Sequence, residues 1–181
     1  GRGSIALHEV RVGPKALIGN EGEGFRRVMA GFDFTRPLLA LTAIGAAQAS
    51  LDEATVYASE RQAFGAPLAQ FEGVSFPLAE HATKLTAARA LCYQALDRRM
   101  HDEPHTALAA MCKWYGPRAA FDAAHDSLLM HGHYGYTTDN PMEQRLRDIM
   151  AVEIADGTSQ VQKIIIAREL FGLQVVPFGS I

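Results

Sequence analysis

Apolar side chains recur along most of this chain with the spacing of an α-helix. Between residues 25 and 58 they follow the 3.6-residue period, which predicts one long helix. Pro37 lies inside this run and predicts a bend there. The apolar positions of the run are Phe25, Val28, Met29, Phe32, Leu38, Leu39, Leu41, Ile44, Ala47, Leu51, Ala54 and Tyr57.

Glycine and proline residues divide the remaining helical pattern into further helices. The segments 61–71 and 131–141 interrupt the pattern, because each contains both glycine and proline. Several of these helices are apolar on more than one face, which favours burial against a second copy of the chain. The fold class is therefore predicted as all-α, an antiparallel up-down helical bundle. The further helices are predicted over 74–100, 107–131 (kinked at Pro117), 142–155 and 158–171.

The two ends of the chain break the helical pattern. Residues 4–12 alternate apolar and polar side chains, which predicts a short β-strand. A lone strand cannot pair its edges, so we expect its sheet to come from a segment outside this sequence. The predicted organisation is a strand and connector over 1–20, a helical bundle over 21–172 and an irregular tail over 173–181.

Composition and charge place the chain among ordinary globular proteins. Its 181 residues are 48% hydrophobic and 20% charged, and the net charge is -3. The negative net charge argues against a nucleic-acid partner bound through phosphates. No apolar run is long enough to predict a membrane span. Cys92 and Cys112 both lie in helical patterns and are expected to be reduced core thiols of a cytoplasmic protein.

Metal binding and covalent catalysis have little support in the residue pattern. His125, His131 and His133 lie close together in sequence, but they lack the further ligands that a zinc site needs. Neither cysteine has a neighbouring His or acid, and Ser159 is not in a G-x-S-x-G sequence. No metal site and no nucleophile are predicted.

The segment around Asp156 is the first candidate for chemistry. Asp156 and Gly157 follow one predicted helix, and Thr158 precedes the next as a plausible N-cap. A carboxylate held at a helix junction over an apolar interior suits a general base, and the free N–H groups of the following turn attract anions. The same pattern also describes an ordinary loop ahead of a capped helix, and this segment alone favours that interpretation.

Other candidates are scattered along the chain. Arg61 lies at a helix end beside Phe64, and Gly132 and Gly135 form a loop with aromatic neighbours. An arginine, a helix N-terminus and a glycine loop suit a ligand that contains a pyrophosphate. Each of these residues also has a purely structural reading, as a capping or turn residue.

Taken together and in order, four segments resemble the C-terminal helical domain of the acyl-CoA dehydrogenases, and the resemblance covers nearly the whole chain. The segments are VGPKALIGNEGEGF, the run from FDFTRP to QFEGV with its Y-x-x-x-R-x-x-F-G-x-P-L, HGHYGYTTDNPMEQRLRD, and EIADGTSQVQKIIIAREL. The resemblance places residues 1–20 at the end of the family's middle β-domain. It implies an FAD-dependent enzyme that oxidises acyl-CoA thioesters at the α,β-bond.

The resemblance also implies partners for the reaction. A carboxylate removes the α-proton while the β-hydrogen leaves as hydride to flavin N5. An electron-transfer flavoprotein then reoxidises the flavin. The family forms homo-oligomers, dimers or tetramers, in which one subunit reaches the FAD of another.

Position by position, the resemblance assigns roles to ten residues. Asp156 stands at the position of the catalytic base, and the backbone N–H there would bind the enolate oxygen. The cofactor-binding positions are Arg61, Phe64, Glu72, Gly132, Thr158 and Gln160, and the substrate-binding positions are Asp33, Arg36 and Gly157.

This sequence departs from the family pattern at four of its positions. Asp156 stands where many members have Glu, which shortens the carboxylate arm by one methylene, roughly 1.3–1.5 Å. The alternative base position of the family, near Thr35, carries no acid. Members that act on alicyclic acyl-CoAs, such as cyclohexanecarboxyl-CoA, use Asp at this place, so a branched or alicyclic substrate is expected. The other departures are Glu72 for Gln, Leu129 for Gln and His133 for Gly.

Two alternatives to the dehydrogenase follow from the same observations. One is a non-catalytic helical oligomerisation module or an inactive partner subunit of a heteromeric dehydrogenase, which Glu72 and Leu129 favour. The other is an acyl-CoA oxidase, which differs in how the flavin is reoxidised.

Overall fold

The computed structural model describes residues 3–172, and the predicted tail at 173–181 lies outside them. The chain divides into two compact units, Gly1–Gly31 and Phe32–Ile181. The described part contains six α-helices and one two-stranded hairpin, which confirms the all-α fold class. The helices are α1 (Gly24–Glu60), α2 (Glu72–Met100), α3 (Thr106–Met130), α4 (His133–Tyr136), α5 (Met142–Ile154) and α6 (Ser159–Phe171).

The first helix buries a narrow stripe of small residues. Its buried positions fall three or four residues apart, as the helical period requires, and the helix continues through Pro37. Small side chains let helices approach closely: a Cβ added to Gly116 of α3 would lie 3.0 Å from the Cβ of Ala40. The buried apolar stripe of α1 consists of Ala40, Ala43, Ile44, Ala47, Leu51, Ala54 and Ala58.

Contacts between helices define the direction in which each one runs. Asp33 contacts Thr106, and Ala40 lies next to Gly116, so helices α1 and α3 run parallel to each other. Low-numbered residues of α2 meet high-numbered residues of α3, as in the pair His81 and Asp126, which makes these two helices antiparallel. In the same way Glu53, near the end of α1, contacts Arg145, near the start of α5, so these two helices are antiparallel as well. The up-down arrangement predicted from the sequence is confirmed.

The core lies among α1, α2, α3 and α5. Cys92 and Cys112 are both free and buried there, as predicted. A hydrogen bond with Cys92, together with burial, raises the pKa of the Cys112 thiol. The core cluster contains Ala40, Ala43, Ile44, Ala47, Leu51, Leu85, Ala88, Cys92, Ala95, Cys112, Ala120, Ala123, Ala124 and Ile149.

The break between the first two long helices is a tight hairpin. Its strands are β1 (Gln62–Ala63) and β2 (Ala66–Pro67), paired antiparallel. Phe64 and Gly65, the two residues between them, have φ values of 51° and 84°. Positive φ at both central residues is the requirement of a type I′ turn, which matches the twist of paired strands.

The strand expected over residues 4–12 stays a prediction. No strand forms within residues 3–12 of this chain, where Ile5 and Leu7 are 89% and 78% exposed. An isolated strand leaves its backbone groups unpaired, and its sheet was expected from a segment outside this sequence. One local prediction was wrong. The predicted loop at 131–141 contains the short helix α4. No helix in the described residues is both long and apolar enough to cross a membrane.

Candidate functional site

The loop between α5 and α6 reverses the chain through two residues in the left-handed conformation. Helix α5 ends where Ala155 N–H donates to the Ala151 carbonyl at 3.1 Å. Asp156 and Gly157 then have φ values of 53° and 98°. Aspartate is among the few side chains that adopt such a φ with modest cost, and glycine adopts it freely. Thr158 is the N-cap residue of α6, as predicted, although its side chain makes no capping hydrogen bond.

Two buried side chains hold this loop from the inside of the bundle. The Gln162 amide nitrogen donates to the carbonyl oxygens of Asp156 at 3.2 Å and Gly157 at 3.0 Å. The Lys113 ammonium donates to the carbonyl oxygens of Glu153 at 3.4 Å and Gly157 at 3.3 Å. Because both donors bind backbone oxygens, they fix the path of the loop and leave the carboxylate of Asp156 for other partners.

The Asp156 carboxylate faces helix α1. The Thr35 hydroxyl donates a hydrogen bond to Asp156 Oδ2 at 3.1 Å, and both residues are half-buried. In the sequence, Thr35 stands out only as the alternative base position of the family, where it carries no acid. The contact itself was missed, since 121 residues separate the two partners and no local pattern links them.

Lys113 is a charged residue in the interior and the sequence did not single it out. It is 1% exposed. Burial lowers the pKa of its ammonium, the negative charges of Asp156 and Glu153 oppose that shift, and the positive charge of Arg36 adds to it. A signal was present in the sequence: Lys113 falls on the apolar stripe of its helix, where a lysine is rare unless it has partners.

Asp33 and Arg36 form a buried ion pair next to this loop. Arg36 is 4% exposed, and its Nη1 lies 2.7 Å from Asp33 Oδ1. The Thr106 hydroxyl donates to Asp33 Oδ2 at 2.8 Å, so the carboxylate bridges α1 and α3. The guanidinium also lies over the Phe32 ring, 5.6 Å from its centroid. The side-chain hydrogen bond of Arg36 goes to Asp33.

The remaining predicted positions fall into two places. Thr158 and Gln160 are exposed and belong to the same junction as Asp156. Arg61 and Phe64 lie at the far end of α1, in and beside the hairpin, and the Phe64 side chain is 99% exposed. Within residues 3–172, Arg61 forms no ion pair, so its guanidinium is available to an anion.

Gly132 and Glu72 lie at this second place too. His131 stacks on Tyr57 with ring centroids 4.4 Å apart, which brings the loop with Gly132 to the end of α1 that leads into Arg61. Glu72 is exposed in the first turn of α2, where a helix N-terminus favours a negative charge. Leu129 is 59% exposed and lines a groove of about 340 Å³ with Gly73, Pro77, Asp126 and Met130.

The structure therefore gathers the predicted residues into two groups that lie far apart along α1. Thr35 and Glu60 are 25 residues apart on this helix, which corresponds to roughly 38 Å at 1.5 Å per residue. No hydrogen bond, ion pair or aromatic contact in the described part of the chain joins the hairpin of Arg61 to the loop of Asp156. The described residues contain no cluster of three or more metal-ligating side chains.

Comparisons with known proteins agree on one family. The sequence profile of the acyl-CoA dehydrogenase C-terminal domain matches residues 22–171. An acyl-CoA dehydrogenase of Bacillus subtilis is 40% identical over 156 residues, which are 86% of this chain and 41% of that protein. A cyclohexane-1-carbonyl-CoA dehydrogenase of Geobacter metallireducens is 37% identical over 164 residues, 91% of this chain and 43% of that protein.

A solved structure supports the same conclusion. The butyryl-CoA dehydrogenase of Megasphaera elsdenii superposes with a TM-score of 0.89 at 32% identity, over 91% of this chain and 43% of that one. The chain spans about two fifths of the length of the curated relatives it matches.

Proposed function

Because the chain belongs to the acyl-CoA dehydrogenase family through its C-terminal domain, we propose that it serves the FAD-dependent α,β-dehydrogenation of an acyl-CoA thioester. In this proposal Asp156 is the base that removes the α-proton. The observation that carries the proposal is the environment of Asp156. Its carboxylate is half-buried in a left-handed loop, and Lys113 and Gln162 bind the backbone of that loop from the protein interior.

The chemistry assigned to this chain is proton transfer. The Asp156 carboxylate takes the α-proton as that C–H bond breaks, and the electron pair of the bond forms the Cα–Cβ double bond. When bound, FAD accepts the β-hydrogen with its electron pair as a hydride. In this proposal the backbone N–H of Asp156 donates to the thioester oxygen, where negative charge develops as the proton leaves.

The exposed residues suit a flavin with a pyrophosphate. Thr158 has a hydroxyl that makes no capping hydrogen bond, and its neighbour Gln160 is exposed, so both can reach a ligand at the α6 end. Arg61 offers a cation with no ion pair in the described residues, and Phe64 offers an almost wholly exposed ring beside it. These fit the cofactor positions that the family resemblance assigns.

The two groups of positions imply more than one copy of the chain. One group lies roughly 38 Å along α1 from the other by helix geometry, so they do not serve one end of a single bound cofactor in the same chain. We propose a homo-oligomer, a dimer or tetramer, in which Arg61, Phe64, Glu72 and Gly132 complete the FAD site of another copy.

The proposed substrate is a branched or alicyclic acyl-CoA. The aspartate arm is shorter than the more common glutamate by roughly 1.3–1.5 Å, so the α-carbon must come closer to the loop. Ala155, next to the base, is small and leaves room for a ring. The similarity to a cyclohexane-1-carbonyl-CoA dehydrogenase supports this class. Asp33 and Arg36, with Gly157, are proposed to line the acyl-CoA site.

An electron-transfer flavoprotein is the proposed electron acceptor. An acyl-CoA oxidase would pass the electrons to oxygen, so oxygen consumption without any added acceptor would contradict this choice. The non-catalytic alternative is an oligomerisation module or an inactive partner subunit. Glu72 and Leu129, which stand where the family usually has glutamine, favour it.

The test is a flavin spectrum of the native protein as it is produced. A protein that carries FAD and is bleached by cyclohexane-1-carbonyl-CoA supports the proposal, and absence of FAD supports the non-catalytic alternative. The variant Asp156→Asn should keep FAD and lose bleaching, since the amide cannot accept the α-proton. Bleaching that persists in Asp156→Asn would remove Asp156 from the role of base.

A further inference from the structure

Thr35 behaves differently from the other threonines of α1. Hydroxyls of helical threonines commonly donate to a carbonyl three or four residues earlier. Thr42 donates to Leu39 O at 2.7 Å and Thr55 to Leu51 O at 2.8 Å. The Thr35 hydroxyl is 3.5 Å from its own helical acceptor, Phe32 O, and 3.1 Å from Asp156 Oδ2.

A single hydroxyl proton cannot serve both acceptors well. An ionised carboxylate accepts a charge-assisted hydrogen bond, which is shorter and stronger than a bond to a neutral carbonyl. The shorter distance to Asp156 agrees with that preference. The Thr35 proton is therefore committed to the carboxylate in its ionised form, the form in which a base is ready to act.

Both partners of this hydrogen bond are held in place independently. On the helix side, the adjacent Arg36 is buried in its ion pair with Asp33. On the loop side, Lys113 and Gln162 bind the backbone of residues 156–157. The Thr35 contact therefore adds one specific effect, the rotation of the Asp156 carboxylate about its own side chain.

We propose that Thr35 is a positioning residue: it occupies Oδ2 of Asp156, so that Oδ1 is the oxygen that accepts the substrate proton. This inference rests on the proposed function. In the described residues Oδ1 has no hydrogen-bond partner, and so it is the oxygen with a lone pair to offer. A fixed orientation of the carboxylate also compensates for the short side chain of Asp156, which is one methylene shorter than that of Glu.

The test compares Thr35→Val with Thr35→Ser in the native protein, with cyclohexane-1-carbonyl-CoA as substrate and a dye as electron acceptor. Valine keeps the shape and removes the hydroxyl, whereas serine keeps the hydroxyl. We expect T35V to lower kcat by roughly ten- to a hundredfold, the range associated with a misplaced group. KM should change little, since Thr35 acts through the base. T35S should restore most of kcat.

A matched control distinguishes positioning from packing. Thr42→Val removes a hydroxyl from the same helix, and this hydroxyl donates to Leu39 O and not to Asp156, so kcat should stay unchanged. T35V kinetics that equal those of T42V would overturn the inference.

An unfolding cycle tests the contact without any catalysis. T35V should destabilise the protein more in the wild-type background than in the Asp156→Ala background. The Asp156→Ala protein lacks the carboxylate, so T35V has no hydrogen bond to remove there. Additive effects of the two substitutions would contradict the inference alone. Turnover that survives in Asp156→Asn would contradict the proposed function, and the two failures are therefore distinguishable.

Discussion

The ammonium of Lys113 lies 3.3 Å from the carbonyl oxygen of Gly157, and these residues are 44 positions apart in the chain. Lys113 is almost fully buried, so it joins the middle of α3 to the loop that carries Asp156. The geometry of this loop depends on two structural features: the charged donor Lys113 in the interior and the left-handed turn at Asp156 and Gly157. Each can be tested by substitution.

Because of Lys113, the free energy of unfolding should depend on pH in the alkaline range. Burial lowers the pKa of Lys113 in the folded protein below its ordinary value of 10.5. Between the lowered and the ordinary value the unfolded chain binds more protons than the folded one, so the free energy of unfolding rises with pH there. The charges that act on Lys113 are those of Asp156, Glu153 and Arg36.

Lys113→Met should abolish this rise, as measured by urea unfolding at a series of pH values below 10.5. Lys163→Met is the control, since Lys163 is exposed and lies over the Trp114 ring. Equal pH slopes in wild type and K113M would contradict the prediction.

Gly157→Ala should destabilise the protein by about 1–3 kcal/mol. The residue has a φ of 98°, which L side chains rarely adopt, and an added Cβ would lie 2.7 Å from the Gln162 amide nitrogen. Gly45→Ala is the control: it lies in α1 with nothing within 4 Å of an added Cβ, so it should stabilise by about 0.5–1 kcal/mol. Thermal unfolding of both variants measures the difference, and equal shifts of Tm would contradict it.

Gly116→Val should disturb the contact between α1 and α3. An added Cβ at Gly116 would lie 3.0 Å from the Ala40 Cβ and 3.4 Å from Ile44 Cδ1, so two further methyl groups have no space. Overpacking of this kind costs about 1–3 kcal/mol of unfolding free energy. The same change at Gly45, which has open space around it, should cost much less. A G116V protein as stable as G45V would show that these helices can separate without loss.

Arg145→Gln should weaken the link between α1 and α5. Arg145 Nη2 donates to Glu53 Oε1 at 2.8 Å, and this hydrogen bond is the main cause that lowers the pKa of Glu53 below 4.5. Stabilisation from a lowered carboxyl pKa is present above the ordinary value and is lost as the pH falls through the lowered value.

Since Glu53 is about half exposed, R145Q should cost only about 0.2–1 kcal/mol at neutral pH. Unfolding curves of R145Q and wild type should converge in acid. A difference that persists below the lowered pKa would mean that Arg145 stabilises the protein by packing and not by charge.

Much of the helical bundle could be predicted because its signals are local. The 3.6-residue apolar period and the positions of glycine and proline placed α2, α3, α5 and α6 within a few residues of their observed ends. Pro37 and Pro117 did not end their helices, because packing of the surrounding stripe outweighs one missing backbone hydrogen bond. The strand expected over residues 4–12 stays a prediction, because strand formation requires a partner and alternation alone does not supply one.

The sequence by itself determined the fold class, the family and the residue that we propose as the base, since these depend on the order of side chains along the chain. The tertiary structure decided what surrounds Asp156. Thr35 and Lys113 approach it from helices that are distant in sequence, and only the packing of those helices sets a distance of 3.1 Å or buries an ammonium. Packing also separated the predicted cofactor positions into two groups, because a rigid helix stands between them.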